Sequence, residues 1–194
     1  MRIRRLLRSF DSEVRPMDFE TVSSEVVYQG RVFNVRRDHL RLPDGGLVKL
    51  DIVDHPGAVT MLPLDDEGRL WLVRQYRHSA SRKLLELPAG AMEAGEPPEA
   101  CAYREVREEI GMSASQLVKV GEFFLAPGYS TEYMYVYLAT GLKPDPLEAD
   151  EDEFLIVETI PVAEVYRLAE EGVIQDSKTL AALFLARPHL AGYL

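Results

Sequence analysis

Hydrophobic and polar residues alternate along several short stretches of this 194-residue chain, a pattern typical of β-strands with one buried face. Paired strands are predicted over residues 26–53, around a Pro-Asp-Gly-Gly turn at 43–46. A second hairpin is predicted over residues 58–75, and its second arm, rich in Leu, Trp and Val, indicates a central strand. Later strands are predicted at residues 117–124, 133–140 and 154–159.

The clearest helix signal lies at residues 97–110. Pro97 and Pro98 suit a first turn, where a missing N–H costs little, and Gly111 suits the position just past the last turn. The predicted buried stripe of this helix, at spacings of three and four residues, consists of Tyr103, Val106 and Ile110.

Two further helices are predicted near the end of the chain, at residues 162–171 and 178–186. Asp176 or Ser177 would cap the second of these helices, and Pro188 would stop it.

The order of these elements indicates the fold class. Strands precede and surround the helices without strict alternation, so the expected fold is α+β, an α/β/α sandwich with a mixed β-sheet between helices. The predicted strands near the start form an antiparallel β extension. We therefore expect an N-terminal extension and β region at residues 1–55, followed by a domain at residues 56–194.

Composition narrows the class of protein further. A content of 46% hydrophobic and 28% charged residues fits one globular domain, or one domain with an extension. The net charge of −10 argues against a nucleic-acid-binding protein, and no apolar run approaches the roughly 18 residues of a membrane span. The single cysteine, Cys101, excludes an internal disulfide framework, and the simplest compartment is a reducing cytoplasm.

The excess acid is concentrated in two stretches. Residues 93–109 contain six glutamates and two arginines, a net charge of −4, and residues 148–158 contain six acids and no base, a net charge of −6. Such runs are usually solvated faces. The alternative is that both clusters converge on hard cations, which prefer carboxylate oxygens.

Three of these acids, Glu105, Glu108 and Glu109, share a face of the predicted helix that points away from its buried stripe. Like charges at this spacing repel by a few tenths of a kcal/mol each. A bound divalent cation would turn the repulsion into coordination, whereas a solvent-exposed helix would simply tolerate it.

A longer pattern contains this helix. From Gly90 the chain has five residues, Glu96, seven residues, and then Arg-Glu-Val-Arg-Glu-Glu-Ile-Gly-Met at 104–112. The pattern resembles the box of the Nudix hydrolases and matches it at all nine constrained positions. The resemblance implies a Nudix fold over about residues 56–194 and hydrolysis of a nucleoside diphosphate linked to another group.

The resemblance also implies roles for the acids of the box. Glu105 and Glu109 would be the main metal ligands, Glu108 would assist them, and the backbone carbonyl of Ala89 would complete the shell. Glu93 and Glu96 would support the loop or a second metal. The metal would be Mg²⁺, with Mn²⁺ possible in vitro. The residues expected to shape the box are Gly90, Glu96, Arg104 and Gly111. Arg104 suits this task, because its planar guanidinium can hold several carboxylates in register.

Features outside the box resemble the ADP-ribose pyrophosphatase subgroup. Pro127 lies 15 residues after Met112, although it is equally well explained as a turn proline. The segments 75–77 and 85–90 resemble the same subgroup, which implies that Arg77 binds phosphate and that Glu86 lies at the substrate site. The alternative for Arg77 is a surface arginine at a strand end.

Residues 28–33 of the predicted N-terminal strands also resemble the ADP-ribose pyrophosphatase subgroup. In the subgroup this region exchanges strands between two subunits, which implies a homodimer in which Tyr28 and Arg31 help to bind the partner's substrate. A plain edge hairpin is the alternative. Glu132 also resembles a residue of the substrate site.

Attack on a diphosphate needs a carboxylate to accept a proton from the attacking water. By resemblance this base comes from the acidic loop before the last strand, with Glu153 the first candidate and Glu151 the second. A solvated acidic loop is the alternative interpretation.

The predicted function is Mg²⁺-dependent hydrolysis of ADP-ribose to AMP and ribose 5-phosphate. Another nucleoside diphosphate derivative, such as GDP-mannose or a dinucleoside polyphosphate, is the alternative substrate. Tyr129 lies 17 residues after Met112, close to a tyrosine spacing that is associated with dinucleoside polyphosphate hydrolases. A non-catalytic Nudix domain that senses nucleotides is the alternative of a different class.

Overall fold

Three neighbouring strands form the first part of the chain that the structure describes. The structure is a computed structural model that describes residues 19–148 and 154–194, in two compact units divided between Val53 and Asp54. In the first unit, β1 (Glu20–Gln29) pairs antiparallel with β2 (Asn34–Arg41), and β3 (Leu47–Asp54) lies on the other side of β2. These strands confirm the predicted antiparallel extension.

The second unit is built on two sheets. The larger sheet has the order β7 (Ala89–Ala91), β4 (Ala58–Pro63), β9 (Tyr133–Pro144) and β8 (Met112–Phe124). It is mixed, because β4 runs parallel to β9 while its other pairings are antiparallel. The smaller sheet is antiparallel, with β5 (Arg69–Arg77) between β10 (Ile156–Pro161) and β6 (Arg82–Glu86).

Among the residues described, three helices pack on these sheets: α1 (Pro98–Ile110), α2 (Val162–Glu170) and α3 (Ser177–Leu190). Short 3₁₀ turns occupy His78–Ala80 and Ala191–Tyr193. No helix in the described ranges is long and apolar enough to cross a membrane.

The larger sheet lies between two hydrophobic cores. Val59 and Met61 of β4 pack with Ala102 and Val106 of α1 on one side. The opposite core joins other residues of the same sheet to the smaller sheet, α2 and α3, and includes Leu62, Val136, Leu72, Val165 and Leu183. Because successive strand residues point to opposite faces, one strand can supply both cores. The α/β/α sandwich is therefore confirmed.

The ends of α1 follow from its sequence as predicted. Pro98 occupies the first turn, and Gly111 terminates the helix in the left-handed conformation, with φ +69°. Its N–H donates to the carbonyl of Val106, which satisfies one of the carbonyls left over at the helix end.

The predicted hairpin over residues 58–75 is wrong. Its two arms, β4 and β5, belong to different sheets and are joined only by an isolated bridge between Leu64 and Leu70. All six residues of β4 are buried, and the strand takes β7 and β9 as its neighbours on its two sides. No edge of β4 is left for a full ladder with β5. The strands β6 and β7 were not predicted.

The predicted stop of the last helix is also wrong, because α3 continues through Pro188 to Leu190. A proline inside a helix removes a hydrogen bond and usually breaks the helix. Here Ala186 and Leu190 are fully buried in the core, and this packing offsets the cost. The predicted cap is correct, since the Asp176 side chain accepts the N–H of Thr179 at 3.0 Å.

Candidate functional site

The guanidinium of Arg104 joins three carboxylates of the box. It donates to Glu96 through Nε at 3.0 Å and Nη2 at 2.9 Å. Its Nη1 donates to Glu105 at 2.6 Å and to Glu108 at 2.8 Å. Hydrogen bonding to Arg104 lowers the pKa of Glu96 to about 2, and the same bonds raise the pKa of Arg104 above its ordinary value. Carboxylates of α1 and of the preceding loop therefore surround one guanidinium.

Glu105 and Glu109 lie on a covered face of α1, not on an exposed one. Their exposed fractions are 7% and 6%, so the alternative of a solvent-exposed helix does not hold for these two residues. The cause is the loop before the helix, which the helical periodicity of 97–110 could not reveal. The N–H of Ala89 donates to Glu109 Oε2 at 3.0 Å, which ties this loop to the helix.

Gly90 is required by the same close approach. A Cβ atom added at this position would lie 1.9 Å from the carboxyl carbon of Glu105. Only glycine lets the backbone of β7 lie against this carboxylate without displacing it.

The loop at residues 93–96 is fixed mainly by Glu96. The N–H of Glu93 donates to Glu96 Oε2 at 3.0 Å, and the N–H of Glu96 donates to the Glu93 carbonyl at 3.0 Å. The side chain of Glu93 itself is exposed. Glu93 thus joins the network through its backbone, which fits the expected support of the loop, and its place at a metal stays a prediction.

A second ionic cluster adjoins the box. Arg77 donates to Glu86 through Nε at 2.9 Å and Nη2 at 2.7 Å, so the structure brings these two predicted residues together. Burial alone would raise the pKa of Glu86, but hydrogen bonds and charge from Arg77 and Lys178 hold it below its ordinary value. With 1% of the residue exposed, the Glu86 carboxylate contacts Arg77 and Lys178, and its expected place at the substrate site stays a prediction.

Lys178 was missed by the sequence analysis. Its Nζ donates to Glu86 and, at 2.9 Å, to Asp176 Oδ2. One feature of the sequence could have indicated a role for this residue: a lysine lies in the first turn of α3, where the helix dipole disfavours a cation.

The other predicted residues lie elsewhere or outside the described ranges. Glu132 precedes β9, and its N–H donates to Ser130 Oγ at 3.1 Å. Tyr28 and Arg31 belong to the first unit. The two candidate bases, Glu151 and Glu153, lie outside the described residues.

The donor chemistry of the box fits a hard divalent cation. Glu105 and Glu109 are buried carboxylates one helical turn apart, and oxygen is the donor that such ions prefer. In the side-chain arrangement of residues 19–148 and 154–194, no three Asp, Glu, His or Cys side chains form a ready metal cluster. Arg104 bridges Glu105 and Glu108 instead.

Comparison with known proteins adds family information to this geometry. Residues 54–183 match the NUDIX domain, and residues 19–49 match the nucleoside diphosphate sugar hydrolase N-terminal domain. An ADP-ribose pyrophosphatase of Mycobacterium tuberculosis is 41% identical, over 91% of this chain and 86% of its own. An ADP-ribose pyrophosphatase of Bacillus subtilis is 36% identical, over 88% of this chain and 93% of its own.

A solved structure of similar fold is described as an ADP compounds hydrolase. It superimposes with a TM-score of 0.79 at 28% identity and covers 90% of this chain and 95% of its own. The likeness therefore extends over nearly the whole of both chains.

The contact between Gly90 and Glu105 yields a stability prediction. Gly90→Ala should lower the free energy of unfolding by about 2 kcal/mol, as other overpacked sites do, because the new methyl group displaces the Glu105 carboxylate. Urea unfolding followed by Trp71 fluorescence would measure it. Gly192→Ala is the control, because an added Cβ there meets nothing within 4 Å. Equal stability of the two variants would contradict the close approach.

Proposed function

The chain belongs to the Nudix hydrolase family, and from this premise we propose that it hydrolyses the diphosphate bond of ADP-ribose to give AMP and ribose 5-phosphate, with Mg²⁺ as cofactor. The observation that carries the proposal is the complete box, in which Arg104 holds Glu96, Glu105 and Glu108 together. The relatives named ADP-ribose pyrophosphatase support the choice of substrate.

The metal would be held by Glu105, Glu109 and the carbonyl of Ala89, with support from Glu108 and Glu93; Mn²⁺ is the expected substitute. When bound, such an ion neutralises charge on the diphosphate and makes water a better nucleophile. The chain's own contribution is to fix the ligands. Ala89 donates to Glu109, and Gly90 lets the loop approach Glu105.

Arg77 is the proposed phosphate-binding residue. Glu86 orients its guanidinium through two hydrogen bonds, and 38% of the Arg77 side chain is exposed. A guanidinium held by one edge can offer its other nitrogen to a phosphate oxygen. Glu132 stays a proposed substrate contact, supported only by the resemblance of its position.

A nucleotide-sensing domain without activity is the alternative of a different class. All nine constrained positions of the box are present, which favours catalysis over sensing. The expected compartment is the cytoplasm, supported by the single cysteine.

A product-release assay tests the proposal. The protein would be incubated with Mg²⁺ and, separately, with ADP-ribose, GDP-mannose, diadenosine polyphosphates and 8-oxo-dGTP. We expect AMP and ribose 5-phosphate from ADP-ribose at the highest kcat/KM. Faster turnover of another compound would overturn the substrate, and no turnover with any compound would favour the sensor.

Glu109→Gln should lower kcat for ADP-ribose on the order of a hundredfold or more, because a neutral amide is a poor ligand for a divalent ion. The fold should survive, since the amide oxygen still accepts the N–H of Ala89. Glu171→Gln, on an exposed helix end, is the control. Near wild-type kcat in Glu109→Gln would exclude Glu109 as a metal ligand.

The general base is proposed to be Glu153, with Glu151 second. Glu153→Gln should reduce kcat more than Glu151→Gln does, because an amide cannot accept the proton of the attacking water. Single-turnover kinetics with ADP-ribose would compare the two, and the reverse order would assign the base to Glu151.

A homodimer built through residues 26–55 is proposed from the apolar surface of the first unit. All ten residues of β1 are exposed, among them Val26 at 63% and Tyr28 at 58%, and Leu47 of β3 is 67% exposed. So much apolar surface is typical of an interface. Tyr28 and Arg31 would then act at the partner's substrate. Light scattering at micromolar concentration should give twice the 21.9 kDa chain mass, and a monomer would contradict the shared site.

A further inference from the structure

Lys178 occupies a position that ordinarily disfavours a lysine. It lies in the first turn of α3, at the positive end of the helix dipole, and only 7% of the residue is exposed. A buried cation is costly unless it is paired. Its partners are Glu86 and Asp176, and Asp176 caps the same helix.

Arg77, Glu86, Asp176 and Lys178 form a cluster of two cations and two anions, which we name the four-ion cluster. Glu86 Oε2 accepts hydrogen bonds from both Arg77 Nη2 and Lys178 Nζ. The Nη1 of Arg77 has no hydrogen bond to the residues at 19–148 and 154–194. Removal of Lys178 would leave one cation against two anions.

The four-ion cluster borders the box. Glu86 precedes Ala89 by three residues, and the N–H of Leu87 donates to Thr179 Oγ1 of α3 at 2.9 Å. The pKa of the Arg77 guanidinium is raised chiefly by its hydrogen bonds to Glu86, and the charges of Asp176 and Glu109 add to this rise. A change in the net charge of the cluster would therefore change the electrostatic potential where the diphosphate is proposed to bind.

We propose that Lys178 is a positioning residue that keeps the four-ion cluster electrically neutral, so that Arg77 can attract the diphosphate of an anionic nucleotide. The inference rests on the proposed function for the identity of the nucleotide. Lys178 does not touch the substrate. It neutralises the second acid, and without it Glu86 and Asp176 together outweigh Arg77 and repel the anion.

Binding of ADP-ribose in EDTA, measured by isothermal titration calorimetry, separates this role from catalysis. Lys178→Met should raise Kd roughly five- to tenfold, as expected for one charge at several ångströms in a partly screened site. Lys178→Arg keeps the charge and should stay within about twofold of wild type. Arg167→Met removes a cation from exposed pairs with Glu164 and Glu171 and should leave Kd unchanged.

The double variant Asp176→Asn with Lys178→Met makes the test selective. It restores a neutral cluster, and asparagine still caps the helix, so Kd should return to within about twofold of wild type. A merely structural role for Lys178 would leave the double variant no better than Lys178→Met. Equal Kd for wild type and Lys178→Met would also overturn the proposal.

Folding and turnover are monitored separately. Thermal unfolding of each variant reports whether it folds, and Lys178→Gln replaces Lys178→Met if the methionine variant does not. Metal-free binding does not require turnover, so the two proposals can fail independently. A wild type that binds ADP-ribose with the expected ranking of variants but does not hydrolyse it with Mg²⁺ would contradict only the proposed function.

Discussion

The box depends on one guanidinium. Arg104 lies among acids that would repel one another at helical spacing, and its hydrogen bonds join Glu96, Glu105 and Glu108. Arginine suits this position because its planar group donates from several nitrogens at once, which a lysine cannot do in the same geometry. Glu96 in turn receives the N–H of Glu93, so the cation that organises the helix also fixes the loop in front of it.

The two ionic clusters follow the same physical rule. Buried carboxylates remain charged only where cations and hydrogen-bond donors replace the water that they have lost. Arg77 and Lys178 do this for Glu86, and Arg104 donates a hydrogen bond to Glu105. The two clusters differ in their balance of charge: Arg77 and Lys178 match Glu86 and Asp176, whereas the guanidinium of Arg104 joins three carboxylates of the box.

The sandwich brings these clusters together. The end of β6 carries Glu86, β7 carries Ala89 and Gly90, and α1 carries the glutamates. Thr179 of α3 accepts the N–H of Leu87 and Glu109 of α1 accepts the N–H of Ala89, so helices from both sides of the larger sheet contact the short stretch that runs from β6 to β7. This segment carries much of the site although it has few residues and weak periodicity, and its two strands were accordingly not predicted.

The sequence by itself determined the family, the box and the ends of α1, because these depend on fixed residue types at short spacing. It also predicted that Arg77 and Glu86 belong to one site, by resemblance. It could not determine which sheet receives β4 and β5, or that α3 passes through Pro188, because long-range packing decides both. The burial of Glu105 and Glu109 and the pairing of Lys178 with Glu86 were likewise decided by the tertiary structure. Helical periodicity gives the direction of a side chain, whereas burial depends on what the rest of the chain places against it.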